Sequence, residues 1–247
     1  VLVDDEQVHL DIANIPYDIG LPLINRREAY WVDNTHIPLL KRAGIRYLNP
    51  TQALGKCIVH ALTRYTTQFI GIQETRDFLT AAESEHGELA REVQKVASVQ
   101  KLAEILRRLV EENVPIRNKR LIFEALVEWG QREQDVVLLV EYVRMALGRQ
   151  ICHRMADRNR IIPSYVLERA VEDMLRQAVK PTAVGSFLSI SEENTRPVIE
   201  QLRQLMSAAD PEMRPVVLAS MDIRRHVRNL LVRSEIDIPV LSYQELA

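Results

Sequence analysis

The spacing of hydrophobic and polar positions in the first 48 residues is typical of short strands. Apolar residues 1–3 and 8–12 flank the polar run 4–7, which predicts a β-hairpin. The run Ala-Tyr-Trp-Val at 29–32 predicts another strand, because aromatic and β-branched residues favour strands. The same pattern predicts a loop over 14–27, a brief helix at 35–43 stopped by Gly44, and a strand at 45–48.

Helical periodicity begins at Asn49. Asn49 followed by Pro50 predicts a helix start, because asparagine caps helix N-termini and proline fits the first helical position. This helix joins the β-rich start to residues 67–150, where apolar residues recur at three- and four-residue spacing. We predict that these stripes face a common core in a small helical bundle.

Residues 151–247 alternate between strand-like and helix-like segments. Strands are predicted at 161–162, 184–190, 215–220 and 239–242. Helices are predicted at 164–178 and 222–232. Between them, a helix is predicted that begins at Asn194 or Thr195, as its cap, and ends at 206. This alternation predicts a small α/β subdomain, so the whole chain is an α+β protein of several subdomains.

Composition excludes several classes of protein. The 247 residues carry 32 basic and 34 acidic side chains, a net charge of −2, which argues against wholesale nucleic-acid binding. The two cysteines show no paired spacing, so a reducing cytosol is expected. No apolar run approaches the ~18 residues that a transmembrane helix needs. The abrupt start at Val1 is interpreted as a fragment boundary.

Motifs for catalysis, nucleotides and metals are missing from the sequence. It contains no GxGxxG, GxxxxGK[ST] or GxSxG, and its six histidines lack metal-ligand spacing. We therefore predict a protein that is not an enzyme and has no cofactor. An enzyme whose site is assembled from distant residues remains an alternative.

Residues 222–233 form a predicted basic helix with an apolar face. Its cations are Arg224, Arg225, Arg228 and Arg233. Three interpretations remain open: an adaptor surface facing RNA or lipid, a solvated face on a helix packed against a sheet, or salt bridges to a neighbouring subunit. The adaptor that binds RNA through this helix is the alternative function.

Three motifs resemble a known family. They are VPIRNKRLIFEAL at 114–126, EYVRMALGRQI at 141–151 and IPVLSYQEL at 238–246. In this order and spacing they resemble the large export-gate subunit shared by flagella and virulence injectisomes. The ending Ser-Tyr-Gln-Glu-Leu is more similar to the injectisome branch.

The resemblance implies a domain organisation. Members of the family have an N-terminal membrane half, absent here, and a cytosolic half of four subdomains that forms a ring of nine at the bacterial inner membrane. Carried over, the first subdomain is split between 1–17 and 47–66. The second is the small inserted part 18–46, which is shorter than the family implies. The third is the helical 67–150, and the fourth is the α/β part 151–247.

The resemblance also implies partners and sites. The first two subdomains would form a cleft for chaperone–cargo complexes and regulators, namely the gatekeeper and the secretion ATPase stalk, with no nucleic acid. Tyr30 and Trp31 alternate on their strand, so one should be core and the other an exposed anchor. Arg26 and Arg27 stand where the flagellar branch has an aromatic residue. The candidate cleft residues are Arg26, Arg27, Tyr30, Trp31 and Lys56, and the candidate ring contacts are Arg117, Arg120 and Arg144.

Overall fold

A computed structural model describes residues 1–3, 7–20, 29–182, 185–209 and 213–246. The chain divides into two compact units, Val1–Thr66 and Thr67–Ala247. This division falls at the predicted start of the helical part. The finer division into four subdomains stays a prediction.

The described residues of the first unit include four short strands: β1 (Leu2–Val3), β2 (Asp18–Gly20), β3 (Ala29–Trp31) and β4 (Tyr47–Leu48). They form an antiparallel sheet in the order β2-β3-β1-β4. Leu2 of β1 lies opposite Trp31 of β3 on one side and Leu48 of β4 on the other. The Val1 backbone nitrogen donates a hydrogen bond to the Val32 carbonyl at 2.7 Å, which extends the pairing.

In the described part of this unit, three α-helices accompany the sheet: α1 (Gln7–Ile12), α2 (Ile37–Ala43) and α3 (Pro50–Arg64). The predicted strand at 8–12 is wrong. A half-buried strand would bury Val8, Leu10 and Ile12 together, whereas Leu10 alone is buried and the other two are exposed. Helix α2 ends at Gly44 in the left-handed conformation (φ 72°), as predicted.

The start of α3 was predicted correctly. The Asn49 side chain accepts a hydrogen bond from the Gln52 amide at 2.8 Å. The Gln52 side chain accepts one from the Asn49 amide at 3.0 Å, which completes a capping box. Proline occupies the first helical position, where no backbone donor is required.

The second unit begins with five helices: α4 (Ile72–Val96), α5 (Val99–Glu111), α6 (Lys119–Trp129), α7 (Val136–Ala146) and α8 (Gly148–Met155). Helix α4 breaks at His86, where φ is −143°. The predicted stripes of α5 and α6 do face one core, which contains fully buried Leu106, Leu109, Ile122 and Leu126. Trp129 stacks on Tyr142 with ring centroids 4.0 Å apart.

The rest of the second unit alternates strands and helices. The elements are β5 (Ser164–Val166), α9 (Arg169–Ala178), β6 (Val179–Thr182), β7 (Gly185–Leu188), α10 (Glu192–Ala208), β8 (Val216–Ala219), α11 (Met221–Arg233) and β9 (Val240–Ser242). Three of the strands form a parallel sheet in the order β5-β8-β9, and β6 and β7 form an antiparallel hairpin. The central strand β8 is buried along its length.

Several predicted boundaries in this region are wrong. The strand begins at Ser164 instead of Ile161. Residues 164–166, which were predicted as the first turn of the next helix, therefore belong to the strand. Helix α10 starts at Glu192 with Ser191 as its cap, so Pro197 lies inside the helix. The α+β class, with a central helical bundle and a C-terminal α/β part, is confirmed.

Candidate docking surfaces

Tyr30 lies on one face of the first sheet and is half-buried. Its ring meets the edge of Tyr17, with centroids 5.5 Å apart and planes at 84°. The Tyr30 hydroxyl donates to the Gln7 side-chain oxygen at 3.5 Å, and the Gln7 amide donates to the Tyr17 hydroxyl at 2.8 Å. These contacts tie β3 to α1, so Tyr30 has a structural role on this face.

Trp31 lies on the opposite face and packs against Leu2, Ala29 and Ala53. Its indole covers the backbone of β2, because a Cβ built on Gly20 would be 2.7 Å from the Trp31 indole nitrogen. Trp31 is also half-buried. The prediction that one aromatic is core and the other an exposed anchor is therefore wrong, since both are half-buried.

Helix α3 exposes most of its apolar side chains. Among residues 50–63 of this helix, Ala53 alone is buried. Leu54, Ile58, Leu62 and Tyr65 are 60%, 50%, 51% and 48% exposed, and their spacing places them along one side of the helix. We call these four residues the α3 stripe. The sequence showed the helical spacing of these residues, but it did not show that their side chains are exposed.

The structure brings together only part of the predicted cleft. Trp31 packs on Ala53 of α3, and exposed Lys56 follows Ala53 by one turn of that helix. Tyr30 lies on the other face of the sheet. Arg26 and Arg27 lie outside the described residues.

Arg117 and Arg120 are exposed at the start of α6. The Arg120 guanidinium binds Glu124 one turn later at 2.7 Å. The hydrogen bond from Arg120 and the charge of Glu124 raise the pKa of Arg120. Both arginines are available to a neighbouring molecule, so they remain candidate ring contacts.

Arg144 is not available for a ring contact, because only 3% of its side chain is exposed. Its guanidinium donates to Glu245 at 2.6 Å and to Glu112 at 3.1 Å. Arg224, fully buried on α11, donates to Glu141 and Glu112 through four hydrogen bonds of 2.5 to 2.9 Å. We call these five residues the charge cluster, and we remove Arg144 from the ring candidates.

Two members of the charge cluster, Glu112 and Arg224, have pKa values that the cluster shifts. Burial disfavours the charged form of Glu112, but attraction to Arg224 and Arg144 outweighs burial and lowers the pKa of Glu112 to about 2. Burial likewise opposes the charge on Arg224, and attraction to Glu112 and Glu141 raises its pKa. The cluster joins the end of α5, α7, α11 and the turn Tyr243–Leu246, so it is part of the interior of the second unit.

The basic helix 222–233 does not present a cationic face. Arg224 lies in the charge cluster, and Arg228 donates to the Ile238 carbonyl at 2.8 Å and to Asp237 at 3.0 Å. Arg225 is half-buried, and burial followed by repulsion from Arg108 lowers its pKa. Arg233 alone of the four is exposed. This removes the observation on which the RNA-binding alternative rested.

Three further observations concern chemistry and membranes. Across residues 1–3, 7–20, 29–182, 185–209 and 213–246, no group of three or more His, Cys, Asp or Glu side chains is arranged to hold a metal. Within those same ranges, no helix combines the length and apolarity needed to cross a bilayer. Burial and the charge of Glu245 raise the pKa of the Cys152 thiol, which keeps it a poor nucleophile.

Comparison with known proteins gives the family. A model of the FHIPEP family matches residues 18–247. The chain belongs to the FHIPEP family. This FHIPEP chain is 41% identical over 247 residues to the low calcium response locus protein D of Yersinia pestis, covering 100% of the chain and 35% of that protein. It is 44% identical over 231 residues to the probable translocation protein y4yR of Sinorhizobium fredii, covering 92% and 33%.

Solved structures agree with this family. A nonameric SctV-C from EPEC matches with a TM-score of 0.79 and 33% identity, covering 93% of this FHIPEP chain and 70% of that one. CdsV in the Chlamydia pneumoniae CdsV and CdsO complex matches with a TM-score of 0.87 and 32% identity, covering 99% and 70%. The chain spans about a third of the length of its curated relatives. The resemblance to the large export-gate subunit of type III secretion systems, in its injectisome branch, is confirmed.

Proposed function

We propose that this chain docks chaperone–cargo complexes for the type III secretion export gate, through the α3 stripe. The observation that supports this is the exposure of four large apolar side chains along one helix, each about half exposed. Such a patch is on the order of a few hundred Å², the size at which exposed apolar surface marks an interaction site.

The proposed mechanism is selective binding rather than bond chemistry. A helix that presents apolar residues at i, i+4 and i+8 suits a partner that covers it with a complementary apolar face. Regulators, including a gatekeeper and the secretion ATPase stalk, would also bind this chain, either in competition with chaperone–cargo complexes or together with them. The Chlamydia pneumoniae relative CdsV forms a complex with CdsO, which supports partner binding by this family.

We further propose that nine copies form a ring on the cytoplasmic side of the bacterial inner membrane. Nonameric assemblies of two relatives, EPEC SctV-C and the EscV cytosolic domain, support this proposal. The exposed arginines Arg117 and Arg120 are our candidates for contacts between neighbouring copies.

Docking is tested by charge placed in the α3 stripe. Leu54→Asp with Leu62→Asp should weaken binding of a purified chaperone–cargo complex at least tenfold, because a carboxylate would be desolvated at the interface. Both side chains are more than half exposed, so the fold should be retained. Isothermal titration calorimetry measures the affinity.

Ile161→Asp is the matched control, because Ile161 is 58% exposed and lies in the second unit. It should leave the affinity unchanged. Equal weakening by the control would contradict docking at the stripe. Protection of α3 in a full-length gate protein without any chaperone would contradict it as well, because the stripe would then be covered by the gate itself.

Ring contacts are tested separately by sedimentation velocity at high protein concentration. The unmodified chain should populate a species of nine times the 28.4 kDa chain mass. Arg117→Glu with Arg120→Glu should reduce that species, whereas Arg132→Glu, an exposed arginine beyond the other end of α6, should not. Unchanged assembly in the double variant would exclude this pair from the interface.

A further inference from the structure

A groove with a volume of about 660 Å³ lies in the C-terminal part of the second unit, between β7, α10 and α11. Sites that bind small ligands or peptide side chains typically enclose about 300–1,000 Å³. The groove is far in sequence from the α3 stripe, and its residues belong to the other unit. It therefore calls for a separate explanation.

Hydrogen bonds between the three elements hold the groove in shape. The buried His226 imidazole of α11 lies 3.1 Å from the Ser186 hydroxyl of β7. Arg203 of α10 donates to the Ser234 carbonyl, just after α11, at 2.7 Å. A site whose walls are already fixed loses little conformational entropy on binding, so these bonds favour recognition.

The rim of the groove is positively charged. Among the described lining residues, Arg196, Arg203 and Arg233 are joined by a single acid, Glu192. Arg196 and Arg233 are exposed, and no carboxylate in the described part of the chain pairs with either guanidinium. The whole chain has a net charge of −2, so this rim is a local excess of cations. An anionic partner would form charge-assisted hydrogen bonds with these guanidinium groups.

The floor of the groove is apolar. Ile199 is buried, and Leu188 and Leu230 are partly exposed within the lining. Phe187 at the edge is 51% exposed. An apolar floor below a cationic rim matches a partner that carries carboxylates on either side of an aliphatic side chain.

We propose that this groove, which we call the arginine groove, binds an acidic peptide segment of a partner protein. Carboxylates of the segment would contact Arg196 and Arg233, and one aliphatic side chain would cover Ile199 and Leu230. A nucleic acid fits less well, because it needs a longer track of cations and stacked aromatic rings. The described lining instead includes Glu192, and Phe187 is its single Phe, Tyr or Trp residue. The inference does not depend on docking at the α3 stripe.

The test is fluorescence anisotropy of the 247-residue chain with a fluorescein-labelled decapeptide of alternating glutamate and leucine. We expect saturable binding of this peptide. Arg196→Glu with Arg233→Glu should weaken the binding at least about tenfold, because attraction between two arginines and the peptide glutamates becomes repulsion between carboxylates. A peptide with serine in place of leucine should bind about tenfold more weakly, because the floor loses its apolar contact. Circular dichroism checks that the variant remains folded.

Arg169→Glu is the matched control, since the Arg169 side chain is 95% exposed on α9 and does not line the groove. It should bind the peptide as the unmodified chain does. The proposal is overturned if the control loses as much affinity as the double variant, or if no binding is seen at millimolar peptide. Tighter binding of a single-stranded oligouridine of equal charge would overturn it too.

Discussion

Replacing Arg224 with methionine should strongly destabilise the second unit. The guanidinium is 0% exposed and makes four hydrogen bonds of 2.5 to 2.9 Å to Glu112 and Glu141. Methionine fills similar space but leaves both carboxylates without this partner in a buried site. Removing one partner of a buried ion pair costs about 3–5 kcal/mol, and we expect Arg224→Met to fall in that range.

Arg176 provides a matched control on the surface. It also pairs with carboxylates, at 2.6 Å to Asp222 and 2.7 Å to Asp173, but 42% of its side chain is exposed. Exposed pairs contribute little because water screens them and holding the side chains still costs entropy. Arg176→Met should therefore lower the free energy of unfolding by less than about 1 kcal/mol.

Urea unfolding monitored by tryptophan fluorescence measures the difference. Trp129 stacks on Tyr142 in the second unit, and Trp31→Phe removes the other tryptophan, so the signal reports this unit alone. With a slope of roughly 2–3 kcal/mol/M, Arg224→Met should lower the midpoint by about 1–2.5 M. A loss no larger than that of Arg176→Met would refute the stabilising role of the charge cluster.

Three further predictions address other parts of the fold. The pKa of Glu112 is about 2 in the folded chain against an ordinary 4.5, so the unfolded chain binds more protons in acid. The free energy of unfolding should therefore fall by about 3 kcal/mol from pH 5 to pH 2. Glu112→Gln should flatten that pH dependence in an acid titration followed by Trp129 fluorescence. Gly148→Ala should cost more than about 1 kcal/mol in urea unfolding, since the new Cβ would be 2.5 Å from the Glu245 carbonyl oxygen. Asn49→Ala should cost the first unit about 1 kcal/mol through the lost cap, measured by Trp31 fluorescence in a Trp129→Phe chain.

Local signals in the sequence predicted most helices of the fold. The Asn49-Pro50 start and the Gly44 stop depend on residues within a few positions of each other, so both could be predicted. The segment at 8–12 could not, because a short apolar pattern fits a strand or a helix and only tertiary packing decides. Its one buried residue, Leu10, packs as a helical residue would.

The candidate sites were less predictable, because exposure and long-range pairing leave no periodic signal. The spacing of the α3 stripe indicated a helix, but it did not indicate which side of that helix packs against the rest of the unit and which side is exposed. Glu112 and Arg224 are 112 positions apart, and charged residues on helices are expected at the surface by default. A partial signal existed, since Glu141, Arg144 and Glu245 lie within two of the motifs that carry the family resemblance.

The most direct test of docking at the α3 stripe is hydrogen–deuterium exchange of the chain with and without a bound chaperone–cargo complex. We predict that exchange slows in the peptide containing Pro50–Arg64, because a partner that covers Leu54, Ile58 and Leu62 stabilises this exposed helix against local opening. Binding of the complex with unchanged exchange in this helix would contradict the proposed function.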